Sequence, residues 1–200
     1  TVTDLAGNVS EPQFVEVKRI DNSRPIVVEL TQDITDWTNK DVTVTIKTST
    51  DCVAPEGWKQ VNKRTFTKVF NANGEYSVTL TSVTGVTGDA HLFSITNIDK
   101  EAPVIDYAAI EAANGYRKEI PVNEGEEYTE EKLVEMFTKP EWVSDNSGTA
   151  TFKVDKWGLE HGLDGYQPFT SKTPGEYKVR FYAYDAAGNN SSFDVYVKVL

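Results

Sequence analysis

Acidic side chains in the second half of the chain have the types and positions to bind a divalent cation. Asp99 and Glu101 lie close together in sequence, and Asp145 and Asp185 fall in or beside turns. Ca²⁺ takes about six to eight oxygen ligands, which carboxylates and turn carbonyls can supply together. The sequence therefore predicts a candidate calcium site at Asp99, Glu101 and Asp185, and no other cofactor. The simpler interpretation, which we favour from the sequence, is that such aspartates cap their own turns.

Aromatic residues offer a second chemistry, stacking on sugar rings. Trp157 stands in the glycine-flanked stretch Lys-Trp-Gly-Leu-Glu-His-Gly, which lacks the alternation of a strand, and Tyr166 follows it. These two residues form a candidate glycan-binding site. The alternative is that Trp157 fills a core, as large aromatic residues commonly do. A solvent-exposed Trp157 would favour glycan binding, and a buried one would exclude it.

No arrangement typical of catalysis is present in the sequence. Cys52 is the single cysteine, and the two histidines, His91 and His161, stand in no nucleophile motif. A zinc site needs about four nitrogen or sulfur ligands in close spacing, which these residues do not provide. The sequence thus predicts no catalytic residue, an inert Cys52 and a chain that is not an enzyme.

The charge balance excludes some partners. The formal net charge is −11, whereas binding to nucleic acid phosphates needs clustered Lys and Arg. No stretch of about 18 apolar residues is present, so we expect no membrane insertion. A single cysteine permits no intrachain disulfide, which suits a cytosolic protein or a Gram-positive exoprotein. Thr1 is not an initiator methionine, and we expect the chain to be a fragment of a longer protein.

Alternation of apolar and polar residues, the pattern of a half-buried strand, recurs along most of the chain. It is clearest at 14–18, 42–47, 76–80, 177–181 and 193–199, where β-branched and aromatic residues dominate. Turn sequences rich in Gly, Asn, Asp and Pro separate these runs. Short strands with turns about 8–12 residues apart predict an all-β fold of immunoglobulin-like β-sandwiches.

The segment 129–138 departs from this alternation. Leu133, Met136 and Phe137 have the i, i+3, i+4 spacing of one helix face, and Thr129 can cap the free N–H groups at the start. The sequence predicts a short helix there, lying against an edge or end of the sandwich.

Three short motifs each occur twice, which sets the domain organisation. They are Gly-Glu-Tyr at 74–76 and 175–177, Ile-Asp-x-x-x-Pro at 20–25 and 98–103, and Asp-x-Ala-Gly-Asn at 4–8 and 185–189. Their order predicts the closing strands of an earlier repeat plus a linker at 1–22, an Ig-like domain at 23–100 and a second one, with the helix, at 101–200. We assign the hairpin turn of the middle domain to Gly88-Asp89, and expect an elongated row.

In this order the motifs resemble the bacterial Ig-like domains of Gram-positive surface proteins and large secreted enzymes. The resemblance implies an extracellular or cell-surface location and neighbouring Ig-like domains in the same chain as partners. It also implies a non-catalytic structural or adhesive role in a secreted or cell-wall protein, with a host or cell-wall glycan or protein as a further partner. The alternative is a carbohydrate-binding accessory domain of a secreted glycosidase.

The first 21 residues are a separate case, because two closing strands cannot bury a face on their own. We expect them, if ordered, to pair with an exposed sheet edge of this chain or of a neighbouring one.

Overall fold

The computed structural model describes residues 1–16, 22–120, 130–159 and 172–200, and it describes only the backbone of 118, 120, 130 and 154–159. In these ranges the chain is mostly β-structure, with several antiparallel sheets and two short α-helices. The strands are β1 (Val27–Gln32), β2 (Val42–Thr48), β3 (Cys52–Val53), β4 (Lys59–Asn62), β5 (Thr65–Phe70), β6 (Gly74–Val78), β7 (Thr81–Ser82), β8 (His91–Ile95), β9 (Val104–Ile105), β10 (Arg117–Ile120), β11 (Val143–Ser144), β12 (Ala150–Leu159), β13 (Gly175–Asp185) and β14 (Asn190–Val199). The helices are α1 (Tyr107–Asn114) and α2 (Glu130–Phe137), and a 3-10 turn spans Pro140–Trp142. None of the helices in the described ranges is long and apolar enough to cross a membrane.

The chain divides into two compact units by its internal contacts. The first comprises Thr1–Thr31, Thr45–Lys68 and Ser77–Leu92, and the second comprises Gln32–Val44, Val69–Tyr76 and Phe93–Leu200. The domain limits expected from the sequence motifs, at residues 22 and 100, stay predictions.

The second unit contains a four-stranded sheet in the order β10-β14-β13-β12. Strand β13 is antiparallel to both β12 and β14, whereas β10 runs parallel to β14. Every second residue of β13 from Tyr177 to Asp185 is buried. One face of the sheet is therefore the core side, as the alternation in the sequence predicts.

Both helices contribute to the core on this face. Leu133 and Phe137 of α2 and Ile110 of α1 are fully buried, and the Phe137 ring centroid lies 5.6 Å from that of Phe181. Burying each of these side chains stabilises the fold by roughly 1.5–3 kcal/mol. The position of α2 confirms the helix predicted near 129–138. Its apolar stripe is part of the core, and its expected place against an edge or end of the sandwich stays a prediction.

Helix α1 was not anticipated from the sequence. It begins after Asp106, whose Oδ1 accepts a hydrogen bond of 2.9 Å from the Ala109 N–H and so caps the helix. It ends at Gly115, where φ is 64°, a conformation that costs glycine little. The Asn114 side-chain amide donates to the Met136 carbonyl at 2.5 Å, which fixes the end of α1 beside α2.

The other four-stranded sheet has the order β1-β2-β5-β4. Val42, Val44 and Ile46 on β2 are fully buried, with more exposed residues between them. Three two-stranded pairings, β3 with β7, β6 with β8 and β9 with β11, complete the described sheets.

Residues 1–16 do not behave as expected from the sequence. Thr3 and Val9 form an antiparallel bridge, and the Ser10 N–H donates to the Val2 carbonyl, so the segment folds back on its own turn. All sixteen residues are exposed, and no strand of the described sheets pairs with them. Residues 1–16 therefore do not pair with a sheet edge in the described part of this chain, whereas pairing with a neighbouring chain stays a prediction. Residues 17–21 lie outside the described part of the chain.

Candidate metal centre

The turn between β13 and β14 is organised by Asp185. Its Oδ1 accepts a hydrogen bond of 2.8 Å from the Asn189 N–H, and its Oδ2 accepts one of 2.7 Å from the Asn189 side-chain amide. Gly188 has φ 88°, which explains why glycine stands at this position. Asp185 is buried, so its carboxylate is held at the tip of the sheet in one orientation.

The same five-residue turn occurs at two other places. At 4–8 the Asp4 carboxylate accepts hydrogen bonds from the Asn8 N–H and side-chain amide, both at 2.9 Å. These bonds lower the pKa of Asp4, the side-chain bond from Asn8 having the largest effect. At 82–86 the Ser82 Oγ accepts from the Val86 N–H at 3.0 Å. The repeat found in the sequence is thus a repeat of structure.

The third copy corrects one sequence assignment. The hairpin turn of the middle repeat lies at Ser82–Val86, where Gly85 has φ 88°, and not at Gly88-Asp89. Ser82 stands where the other two copies of the turn have aspartate, and it shares with aspartate only the ability to accept a hydrogen bond from the turn backbone. The sequence motif therefore did not identify this copy.

A second turn, after β11, holds Asp145. Its Oδ1 accepts hydrogen bonds from both the N–H (2.9 Å) and the hydroxyl of Ser147, and its carbonyl accepts from the Gly148 N–H at 3.1 Å. Asp145 is half-buried. Its side chain is fixed by the residues that follow it, as an Asp-x-Ser-Gly turn requires.

Asp99 is held through its backbone. Its N–H donates to the Thr38 carbonyl at 2.9 Å, and its own carbonyl accepts a bond of 2.9 Å from the Asn189 side-chain amide. Its Oδ1 accepts from the Glu101 N–H at 3.0 Å. The side chain is only 4% exposed, and Oδ2 is the one buried side-chain oxygen or nitrogen in the described chain without a hydrogen-bond partner.

The three aspartates converge. Asp99, Asp145 and Asp185 each bring a carboxylate oxygen to within 4.8 Å of the others. The structure therefore brings together two of the three predicted calcium ligands. Glu101 is not in the cluster: it is exposed, and its Oε2 accepts a hydrogen bond of 3.1 Å from the Asn146 side-chain amide. The third aspartate of the cluster is Asp145, which lies 40 residues before Asp185 in the sequence. It was considered with the other acidic residues near turns but was not one of the three predicted ligands.

Such a cluster is electrostatically unfavourable by itself. Two unit negative charges within 4.8 Å of each other repel by roughly 3 kcal/mol or more at an effective dielectric constant of about 20. No lysine or arginine among the described residues forms an ion pair with any of the three carboxylates. Oxygen ligands of this kind suit a hard divalent cation and do not suit metals that prefer nitrogen or sulfur.

The aromatic candidates give a different result. The Trp157 backbone lies in β12 opposite Val179, but its side chain and the whole of Tyr166 lie outside the described part of the structure. Trp58 and Trp142 are buried. The predicted glycan site therefore stays a prediction.

Cys52 is buried, and its Sγ lies 3.4 Å from the Thr50 carbonyl. Burial keeps this thiol away from solvent, in agreement with an inert role.

Comparison with known proteins gives little guidance. No protein-family model matches the sequence, and no curated protein matches it. Among solved structures the chain is similar to protocadherin gamma B2 extracellular cadherin domains 3–6, with 13% sequence identity and a TM-score of 0.29. The match covers 90% of this chain and 51% of that one, so the chain spans about half its length. A likeness at this level carries no functional argument.

Proposed function

We propose that the chain is a non-catalytic structural module of a secreted or surface-attached bacterial protein, built from tandem Ig-like repeats. The two Gly-Glu-Tyr motifs support the Ig-like part of the proposal. The Tyr76 hydroxyl donates to the Ala72 carbonyl at 2.8 Å, and the Tyr177 hydroxyl donates to the Thr173 carbonyl at 3.1 Å. A tyrosine bonded to the backbone a few residues upstream, near the start of a late strand, is a hallmark of Ig-like sandwiches.

The observation that carries the structural role is the way in which residues 97–103 are held. The Ile98 N–H donates to the Asn73 side chain, and the Asn73 amide donates back to the Ile98 carbonyl, at 2.9 and 2.8 Å. The Asp99 peptide then bonds to Thr38 on one side and to Asn189 on the other. A segment bonded this way cannot swing as a flexible linker does.

Further bonds continue along the same segment. The Ser191 hydroxyl donates to the Pro103 carbonyl, at 2.5 Å, and Asn146 donates to Glu101. We infer that the predicted junction between the two Ig-like repeats is stiff, and that the chain keeps other parts of its protein at a fixed distance. An extracellular, Gram-positive setting fits a chain with one cysteine and these motifs.

A structural role is favoured over the two other roles considered. In the described structure the three clustered aspartates have neither a histidine nor a cysteine beside them, so no histidine- or cysteine-dependent nucleophile is assembled there. Glycan binding would depend on Trp157 and Tyr166, and the Trp157 side chain and the whole of Tyr166 lie outside the described part of the structure.

The test is to stretch the chain by its two ends in optical tweezers. Asn189→Ala removes the bond to the Asp99 carbonyl together with the bond inside its turn, and we expect a lower unfolding force. The corresponding loss in free energy of unfolding is about 1 kcal/mol. The matched control is Asn8→Ala, which removes the same bond inside an exposed copy of the turn and leaves the junction intact.

An unfolding force that Asn189→Ala leaves unchanged would contradict the structural role. Saturable micromolar binding of the chain to a cell-wall or host glycan would instead support the carbohydrate-binding alternative.

A further inference from the structure

The buried Asp99 carboxylate needs a positively charged partner that the described protein does not supply. Oδ2 is out of contact with solvent and has no donor, although buried carboxylate oxygens are normally paired. The same carboxylate lies against those of Asp145 and Asp185. Because like charges repel, ionised aspartates would separate unless something between them neutralised their charge.

The middle repeat provides an internal comparison. Asp51 lies beside the Ser82 turn, since its carbonyl accepts from the Val83 N–H at 3.0 Å. Its carboxylate is neutralised from within the chain: Arg64 Nε lies 2.7 Å from Oδ1 and Lys63 Nζ lies 3.9 Å from Oδ2. That turn carries a serine in place of an aspartate, so the carboxylate of Asp185 is not required to build the turn.

The last repeat has the same turn, but its aspartates have no basic side chain paired with them among the described residues. Asp145 and Asp185 lie in its two turns, and Asp99 lies beside them. No ion pair among the described residues includes any of the three. Within the described part of the chain no positive charge balances these carboxylates.

We infer that Asp99, Asp145 and Asp185 bind a calcium ion. Any two oxygens bound to one Ca²⁺ lie at most twice the Ca–O distance of about 2.4 Å apart, and the three aspartate oxygens meet this condition because they lie within 4.8 Å of one another. Mg²⁺ needs a near-octahedral shell at about 2.1 Å and keeps more of its water. Each aspartate is also fixed by hydrogen bonds to its own loop, so the ligands are already arranged before the ion arrives.

The site differs from the one expected from the sequence. Glu101 is not a ligand; its N–H orients Asp99 by donating to Oδ1, and its carboxylate is bonded to Asn146. The inference does not depend on the proposed structural role, because calcium binding and the unfolding force are measured in separate experiments.

The test is titration of the chelator-treated chain with CaCl₂, by calorimetry and by thermal melting in CaCl₂ or EDTA. We expect one site per chain, and a rise in Tm of roughly 5–10 °C when Ca²⁺ is at about 100 times its Kd. Asp99→Asn keeps the acceptor for the Glu101 N–H but removes the charge. We expect it to weaken binding at least tenfold and to abolish the rise in Tm. In EDTA it should melt at or above the wild-type temperature, because repulsion is relieved.

Two further variants make the outcome specific. Asp145→Asn should also abolish the calcium response, whereas Asp4→Asn, in the exposed copy of the turn, should keep it. No binding heat and no Tm shift at 10 mM CaCl₂ would overturn the inference. It would also be overturned if Asp99→Asn lowered Tm equally in CaCl₂ and EDTA, if Asp4→Asn abolished the response, or if MgCl₂ bound more tightly than CaCl₂.

Discussion

A buried hydroxyl group destabilises a protein unless it finds a hydrogen-bond acceptor, and Tyr177 meets this requirement through the Thr173 carbonyl. Its ring is almost fully buried, and burial raises the pKa of its phenol group. The neutral hydroxyl therefore persists over the usual pH range as a donor. This residue links the sequence motif Gly-Glu-Tyr to a definite contact in the structure.

We predict that Tyr177→Phe lowers the free energy of unfolding by about 1 kcal/mol, because the Thr173 carbonyl loses its donor while the ring still fills its place. Urea denaturation followed by tryptophan fluorescence would measure the change. Tyr76→Phe is the matched variant: Tyr76 is partly exposed, so water can replace its hydroxyl and the loss should be smaller. Equal stability of Tyr177→Phe and the wild type would contradict this role of the hydroxyl.

Residue types alone identified part of the carboxylate cluster. Asp99 and Asp185 belong to motifs that each occur twice in the sequence, and this repetition drew attention to both residues. Asp145 was one of the acidic residues considered but was not assigned as a ligand, because its place beside Asp185 depends on how β11 and β13 are arranged in three dimensions. Glu101 was included for its charge, but its carboxylate is bonded to Asn146 and stays outside the cluster.

At the scale of the elements, β13 and β14 are joined by an ion pair as well as by their backbones. Arg180 lies directly opposite Asp194 and donates from Nε and Nη2 to its two carboxylate oxygens at 2.6 and 2.9 Å. Lys178 Nζ lies 3.0 Å from Oδ2. These hydrogen bonds, that from Arg180 above all, hold the pKa of Asp194 below its usual value.

This lowered pKa predicts a definite pH dependence. A carboxyl group with a lower pKa in the folded state stabilises the fold above its unfolded pKa of about 3.9, and this stabilisation is lost as the pH falls through the folded pKa. We therefore expect Asp194→Asn to lower Tm by about 2–4 °C at pH 7, and the difference from the wild type to be smaller at pH 2. Asp89→Asn is the control, because the Arg24–Asp89 pair is largely exposed and should contribute nothing measurable. A difference that is the same at both pH values would refute the prediction.

The elements themselves were predictable to different degrees. Long alternating runs such as β2, β13 and β14 follow directly from burial of one face. Helix α2 was predicted because its apolar residues form a stripe on one face. Helix α1 was not predicted, and it has only one fully buried residue, Ile110. Its signals were the Asp106 cap and Gly115, which are also common in turns, so local sequence could not separate the two interpretations.

At the scale of the whole molecule, one five-residue turn is used three times with different surroundings. The copy at Asp4 is exposed, the copy at Ser82 has no charge of its own, and the copy at Asp185 lies in the carboxylate cluster. The repeats thus share a backbone design and differ in what surrounds it. Sequence repetition predicted the turn backbone that the copies share. The charges around each copy come from residues distant in sequence, such as Asp51 and Arg64 beside the Ser82 turn.

The central claim is that residues 98–101 form a fixed junction in the protein. Amide hydrogen exchange at Ile98, Asp99 and Glu101 of the intact chain tests it most directly, because each of these N–H groups has a specific acceptor. We predict exchange about as slow as at Val44 in the core of β2, since opening the junction would have to break several bonds at once. Exchange as fast as at the exposed Leu5 would show that the segment opens freely, and would contradict a stiff structural module.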